Sequence, residues 1–150
     1  MREIKFRAYR KGIMMYFTFK DIHSTKSYNG WSNYIFKGDG EDRKGIDIVD
    51  DNDVVVMQYT GLKGKNDKEI YEGDIVRTYQ AVRDQSGSFL YKESAGIWLV
   101  LFEQCKFMIT DGVINKSLSD YCFDCGEQYI EKLGNKYENP ELLKEANDDV

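Results

Sequence analysis

Short runs of β-branched and aromatic residues recur along this chain at a period of two, and turns built on Gly, Asp or Asn cut them apart. Such a pattern constrains a chain to sheets, because alternate side chains of a strand face opposite sides and Gly supplies the backbone angles of tight turns. Residues 3–9 (EIKFRAY) set Ile4, Phe6 and Ala8 on one side and Lys5 and Arg7 on the other. After Lys11-Gly12 an apolar run from Met14 to Phe19 completes a predicted β-hairpin. Strands are also predicted over residues 53–59, 70–71, 75–82, 89–92, 95–103, 105–110 and 128–133, with a tight bend at Glu72-Gly73-Asp74 and a hairpin turn at 84–88. Residues 21–45, poor in aliphatic side chains, read as a long loop with one short element that anchors Trp31, Tyr34, Ile35 and Phe36.

The exception to the sheet pattern is the end of the chain. Asn139 is placed to cap a helix, the single Pro, Pro140, suits its first position, Glu141 favours its dipole, and Leu142 and Leu143 are its docking residues. Ser117 to Tyr121 reads as one helical turn. The fold class is therefore mainly β, a β-rich α+β chain. The expected core is a small SH3-like β-barrel with an N-terminal hairpin and a C-terminal helix. A Gly-Asp-hydrophobic-Val entry to a strand, as at Gly73 to Val76, recurs in such barrels. A chain of 150 residues suits one domain, 1–150, in which 1–50 form an N-terminal subdomain and 51–150 the barrel core.

Charge narrows the partners. The net charge is −5, unevenly spread. Residues 1–20 hold six Lys and Arg against one Glu, a local +5, whereas residues 111–150 hold four against ten acidic residues, a local −6. An acidic total argues against sequence-independent DNA binding, which depends on phosphate neutralisation. The basic hairpin remains a candidate, because Lys5, Arg7, Tyr9 and Arg10 interleave cations with rings in the way that holds single-stranded nucleic acid. The competing reading is a hairpin with one solvated basic face and one buried aromatic face. No run reaches the roughly 18 apolar residues of a membrane span, and the alternating N-terminus is not a signal peptide. Three Cys, an odd number, fit free thiols in a reducing compartment, so a cytoplasmic location is expected.

Catalytic motifs are thin. Cys122 and Cys125 form a CxxC, but only Cys105 and His23 remain as further soft ligands and no second CxxC exists, so a zinc set of four is not assembled by the spacing. The strand-to-helix context of a thioredoxin motif is also missing. His23, the only His, stands in a polar stretch and reads as a surface residue. Asp47, Asp50, Asp51 and Asp53 lack the Gly and terminal Glu of an EF-hand loop. GLKGKND, residues 61–67, has no Gly-Lys-Ser/Thr ending, so it is not a phosphate loop, and no cofactor is expected.

Three segments carry a resemblance. MQYTGLKGKNDKEIYEGDIV at 57–76, with MREIKFRAY at 1–9 and GNKYENPELL at 134–143, resembles the YopX-like family of phage and prophage proteins. The family loop usually runs Asn-Gly where this chain has Asn66-Asp67. The resemblance implies a mainly β protein encoded by phages or prophages of bacteria, with no established activity and no known catalytic residues. Within the central segment, Gln58, Tyr59, Lys63, Lys65 and Tyr71 are the candidate binding residues of a loop lip. The expected function is a non-enzymatic accessory module that binds a protein partner, host-encoded or a second copy. A nucleic-acid module built on the basic hairpin is the alternative.

Overall fold

The computed structural model describes residues 3–28, 30–37, 44–48, 52–119 and 129–148. The chain is mostly β, with a curled half-barrel sheet and a short C-terminal helix, as the alternation predicts. Two compact units divide it, Met1–Tyr59 and Thr60–Val150.

In the first unit, β1 (Lys5–Arg10) and β2 (Ile13–Thr18) form the expected hairpin, closed by Lys11 and Gly12, both at positive φ. β1 also pairs with the first half of β6 (Val55–Gly64), setting Phe6 beside Gln58 and Arg7 beside Met57. The stretch read as a long loop is instead largely sheet. β3 (Ile22–Ser27), β4 (Gly30–Lys37) and β5 (Lys44–Asp47) are antiparallel neighbours in that order. Their Ser, Thr and Asn hid them, because a strand that buries only an occasional residue needs few aliphatics. Ile35, from β4, is fully buried with Ala8, Met15, Phe17 and Ile46 in one core cluster. Phe6 stacks on Phe17 at 5.5 Å and meets Phe19 edge-on at 5.0 Å.

In the second unit the rest of β6 leads through a turn to β7 (Lys68–Tyr71). A five-stranded antiparallel sheet follows, in the order β11 (Asn115–Ser117), β10 (Lys106–Thr110), β9 (Phe89–Glu103), β8 (Asp74–Arg83), β12 (Ile130–Asn135). Its core holds Ile70, Val76, Trp98, Val100, Ile109, Leu118 and Ile130. Trp98 Nε1 donates to Thr78 Oγ1 at 2.8 Å, which satisfies the indole while its rings stay buried. Two predicted strands, 89–92 and 95–103, are one. Ala95 is the extra residue of a bulge where the register with β8 shifts, and Gly96 follows at φ 123°. Of the helical turn expected over 117–121, Ser117 ends β11 instead, Leu118 and Ser119 are helical, and residues 120 and 121 lie outside the described residues.

The helix α1 (Glu141–Asp148) starts where Pro140 predicts. Its expected cap works differently. Asn139 Oδ1 accepts the Asn135 N–H at 3.3 Å, and it is the Asn139 carbonyl that takes the Leu142 N–H, at 3.2 Å.

β8 and β9 continue past their neighbours as a two-stranded ribbon. Among the described residues, β12 pairs with β8 only as far as Thr78, and β10 pairs with β9 only as far as Leu99. Asp84 braces the ribbon tip. Its Oδ1 accepts the Ser86 N–H at 2.8 Å, the Ser86 hydroxyl at 2.6 Å and the Ser88 N–H at 2.9 Å. The Ser86 hydroxyl first, and then the Ser88 amide, hold the Asp84 carboxyl below its ordinary value of 3.8.

Two measurements follow from the turns. Gln104 and Cys105 join β9 to β10 with φ of 50° and 62°, a left-handed pair that favours Asn-Gly. Gln104→Asn with Cys105→Gly is expected to raise the unfolding free energy in urea by about 1 kcal/mol. At the ribbon tip, a carboxyl with a lowered folded pKa contributes stability above the unfolded value and loses it as pH falls through the folded value. The Ser86 and Ser88 amide resonances are therefore expected to titrate with a midpoint below 3.8, and Asp84→Asn is expected to abolish that titration.

Candidate functional site

The bend at Glu72-Gly73-Asp74 brings the central and terminal motif segments together. Gly73 adopts φ 82°, a conformation that favours Gly. Its N–H donates to the Val100 carbonyl at 2.8 Å and its own carbonyl accepts the Lys136 N–H at 2.9 Å. Asp74 is fully buried. Its Oδ2 accepts the Tyr71 N–H at 2.8 Å and lies 3.0 Å from Lys132 Nζ. Lys132 comes from β12, which pairs with β8 by setting Asn135 beside Asp74 and Gly134 beside Ile75. The same ammonium donates to the Glu69 carbonyl at 3.3 Å and stands 5.7 Å from the centre of the Tyr71 ring. Asn135 Oδ1 accepts the N–H groups of Tyr137 and Glu138, at 3.1 and 3.0 Å, and turns the chain toward α1.

The loop before the bend is fixed from the same side. A Cβ on Gly64 would stand 2.5 Å from the Ile130 carbonyl oxygen, so only Gly lets these two backbones approach. Thr60 Oγ1 donates to the Ile70 carbonyl at 2.7 Å and accepts the Leu62 N–H at 3.2 Å. Asn66 and Asp67 both take φ of 61°. Asp67 thus occupies a left-handed position of the kind that favours Gly, and its carboxylate accepts two bonds from Lys63 Nζ, at 2.8 and 3.0 Å.

The proposed lip is only partly a surface. Tyr71 is 2 % exposed and its hydroxyl donates to Glu69 Oε2 at 3.0 Å, so it packs inward. Lys63 is committed to Asp67, and Lys65, exposed, lies 3.9 Å from Glu131. In the first unit, Gln58 is half-buried and Tyr59 is buried beneath Lys5 Nζ, 5.6 Å from the ring centre.

The basic hairpin differs more sharply from its expected solvated face. Arg7 is fully buried, although its position in the alternation puts it opposite Ala8. Both faces of β1 are therefore covered at this point, which alternation alone cannot reveal. Lys5 is 3.1 Å from Glu3, and Lys11 is 3.5 Å from Asp53. Tyr9 and Arg10 are half-buried. His23 is exposed on β3. Cys122, Cys125, Asp50 and Asp51 lie outside the described residues. Cys105 is exposed in its turn, and among the described residues no three His, Cys, Asp or Glu side chains gather into a metal-binding group.

Sequence reasoning missed Lys132 as a partner of Asp74. Its ion-pair role depends on strand order, and its own segment reads only as a strand. The arrangement is a clasp that ties β7, β8 and β12 together. Removing one member of a buried pair strands the other charge, so Asp74→Ala is expected to lower the urea unfolding free energy by about 3 kcal/mol. Lys65→Ala, at the exposed pair, is expected to change it by less than about 1 kcal/mol in the same titration.

Comparison with known proteins bears on the fold and the family. A family model described as YopX protein matches residues 5–144. The crystal structure of protein EF1440 from Enterococcus faecalis is 23% identical, with a TM-score of 0.52, over 95% of this chain and 99% of that one. The crystal structure of protein yopX from Bacillus subtilis is 21% identical, with a TM-score of 0.52, over 93% of this chain and 95% of that one. At such identities the likeness is one of fold. No curated protein matches the chain. The family match runs from the first residue of β1 into α1 and takes in both units, so this chain belongs to the YopX family.

Proposed function

We propose that the chain is a non-enzymatic accessory protein of phage or prophage origin that works by binding a protein, either host-encoded or a second copy. One observation carries the reading: the ribbon turns apolar side chains outward. Phe89, Leu90 and Tyr91, all on β9, are 50%, 54% and 54% exposed, where no third strand flanks the ribbon among the described residues. An isolated two-stranded hairpin is marginal in water, and a cluster of half-exposed aromatics is what interface anchors are made of. The charges point the same way. The hairpin suited by sequence to nucleic acid buries Arg7 and holds Lys5 and Lys11 against carboxylates, so its cations are poorly placed to neutralise phosphates. A cytoplasmic site of action fits this reading, and no described helix is long and apolar enough to cross a membrane.

The test is native mass spectrometry of the purified chain alone and with nuclease-treated bacterial lysate, beside a salt series on single-stranded DNA resin. Stoichiometric protein complexes or homo-oligomers are expected, and they should weaken at least about tenfold in Phe89→Ser with Tyr91→Ser. Salt-dependent retention on the resin, lost in Lys5→Glu with Arg10→Glu, would replace this reading with nucleic-acid binding.

A further inference from the structure

The turn that joins β10 to β11 holds a chemically reactive step. Residues 111–114 close this hairpin, whose last pair sets Thr110 beside Asn115. An aspartyl residue followed by glycine can cyclise, because the glycine N reaches the side-chain carboxyl carbon and no glycine side chain blocks the approach. Asp111-Gly112 is such a step. Gly112 is exposed, Val113 beside it is 89% exposed, and a Cβ on Gly112 would meet nothing within 4 Å. Sequence and exposure alone would make this a place of rapid reaction.

The hydrogen bonds of the turn oppose the reaction at both of its participants. The nucleophile is the Gly112 N, and its N–H donates to Thr110 Oγ1 at 3.0 Å. The electrophile is the Asp111 carboxyl, whose Oδ1 accepts the Ile114 N–H at 2.8 Å and the Val113 N–H at 2.9 Å. Those amides, Ile114 first, hold the carboxyl below its ordinary value of 3.8. Cyclisation expels a carboxyl oxygen as water and so needs the protonated acid, which makes a carboxylate kept ionised the unreactive form. Opening of the turn releases both groups at once.

We infer that Asp111-Gly112 is a modification site that the native turn keeps closed, and that opening of the turn lets it convert to an isoaspartyl link. The bond from Gly112 N to Asp111 Cγ forms, and the amide proton leaves with the carboxyl hydroxyl as water. Water then adds to the resulting succinimide at the former main-chain carbonyl, and the C–N bond there breaks. The chain now runs through Cβ and Cγ, one carbon longer, with a free carboxylate where the main-chain carbonyl stood. No oxidant or partner is consumed and the mass is unchanged. The side-chain acceptor of the Val113 and Ile114 amides is used up, so the three-residue β11 loses the turn that aligns it with β10. A transient local opening thereby becomes permanent.

The experiment ages the full chain at neutral pH and follows the tryptic peptide of residues 107–116, which Lys106 and Lys116 release and in which Asp111-Gly112 is the only Asp-Gly or Asn-Gly step. The isoaspartyl form has the same mass, elutes apart and is methylated by an isoaspartyl methyltransferase. A synthetic peptide of the same residues supplies the rate of the open turn. The folded chain is expected to isomerise at least about tenfold more slowly than that peptide. Thr110→Val keeps a β-branched strand residue but releases the Gly112 N–H, and is expected to raise the rate in the folded chain at least about threefold. Thr110→Ser restores a hydroxyl and is expected to react near the native rate. Amide exchange at Met108 and Ile109 checks that each variant is folded; where Thr110→Val is not, the comparison of native chain and peptide decides alone. Equal rates in the folded chain and the peptide overturn the inference, and so does a folded Thr110→Val chain that reacts no faster than the native one.

Discussion

The second unit depends on one buried carboxylate. Asp74 opens β8 with its side chain turned inward, where it meets the Tyr71 N–H and the Lys132 ammonium. A buried ion pair adds little net stability, because each charge gives up its hydration to make it. Burial of Ile70, Val76 and Ile130, at about 1.5–3 kcal/mol for each fully buried side chain, supplies the larger driving force. What the pair supplies is uniqueness. A one-residue slip of β12 along β8 would move Lys132 to the opposite face of the sheet and leave Asp74 charged in an apolar site. The apolar residues drive the sheet together and the carboxylate selects the register.

This explains why the central segment is so specific. Its first residues, Met57 and Gln58, pair with β1, where the N-terminal segment lies. Its last residues, Asp74 to Val76, pair with β12, which runs into the C-terminal segment. Gly64 and Gly73 stand where backbone approaches backbone or φ is positive, and Thr60 and Asp74 bond to main-chain groups. Such positions tolerate few residue types because their neighbours are peptide groups, which cannot shrink or rotate away. A loop that only met solvent would carry no comparable constraint.

Features set by local chemistry could be read in advance from the chain. The Lys11-Gly12 turn, the Gly73 bend, the Asp84–Ser88 turn and the helix after Pro140 each depend on a few neighbouring residues, and all occur. Features set by long-range packing could not. β3 to β5 are sheet because Ile22, Ile35 and Ile46 meet the hairpin core, although their sequence is largely polar. Arg7 alternates like a surface residue and is buried. Tyr71 has the composition of a binding residue, yet its ring lies inside beside Lys132. Asn139 has the right identity for a cap, but the nearby Asn135 N–H claims its side chain. For β3 to β5 and for Tyr71 a distant strand decides the role, whereas for Asn139 a backbone group four residues earlier does.

The same inversion bears on function. A nucleic-acid surface needs cations outside and can bury its rings or stack them. This chain holds Lys5, Lys92, Lys116, Lys132 and Lys136 over aromatic rings, at 4.6 to 5.7 Å from their centres. A lysine lying along a ring covers apolar surface with its stem, so these five cations also serve packing. Apolar groups are left outside as well, Phe89, Leu90 and Tyr91 on the ribbon among them. Solvent gains nothing from such an arrangement, and a monomer with charged residues there would be more soluble.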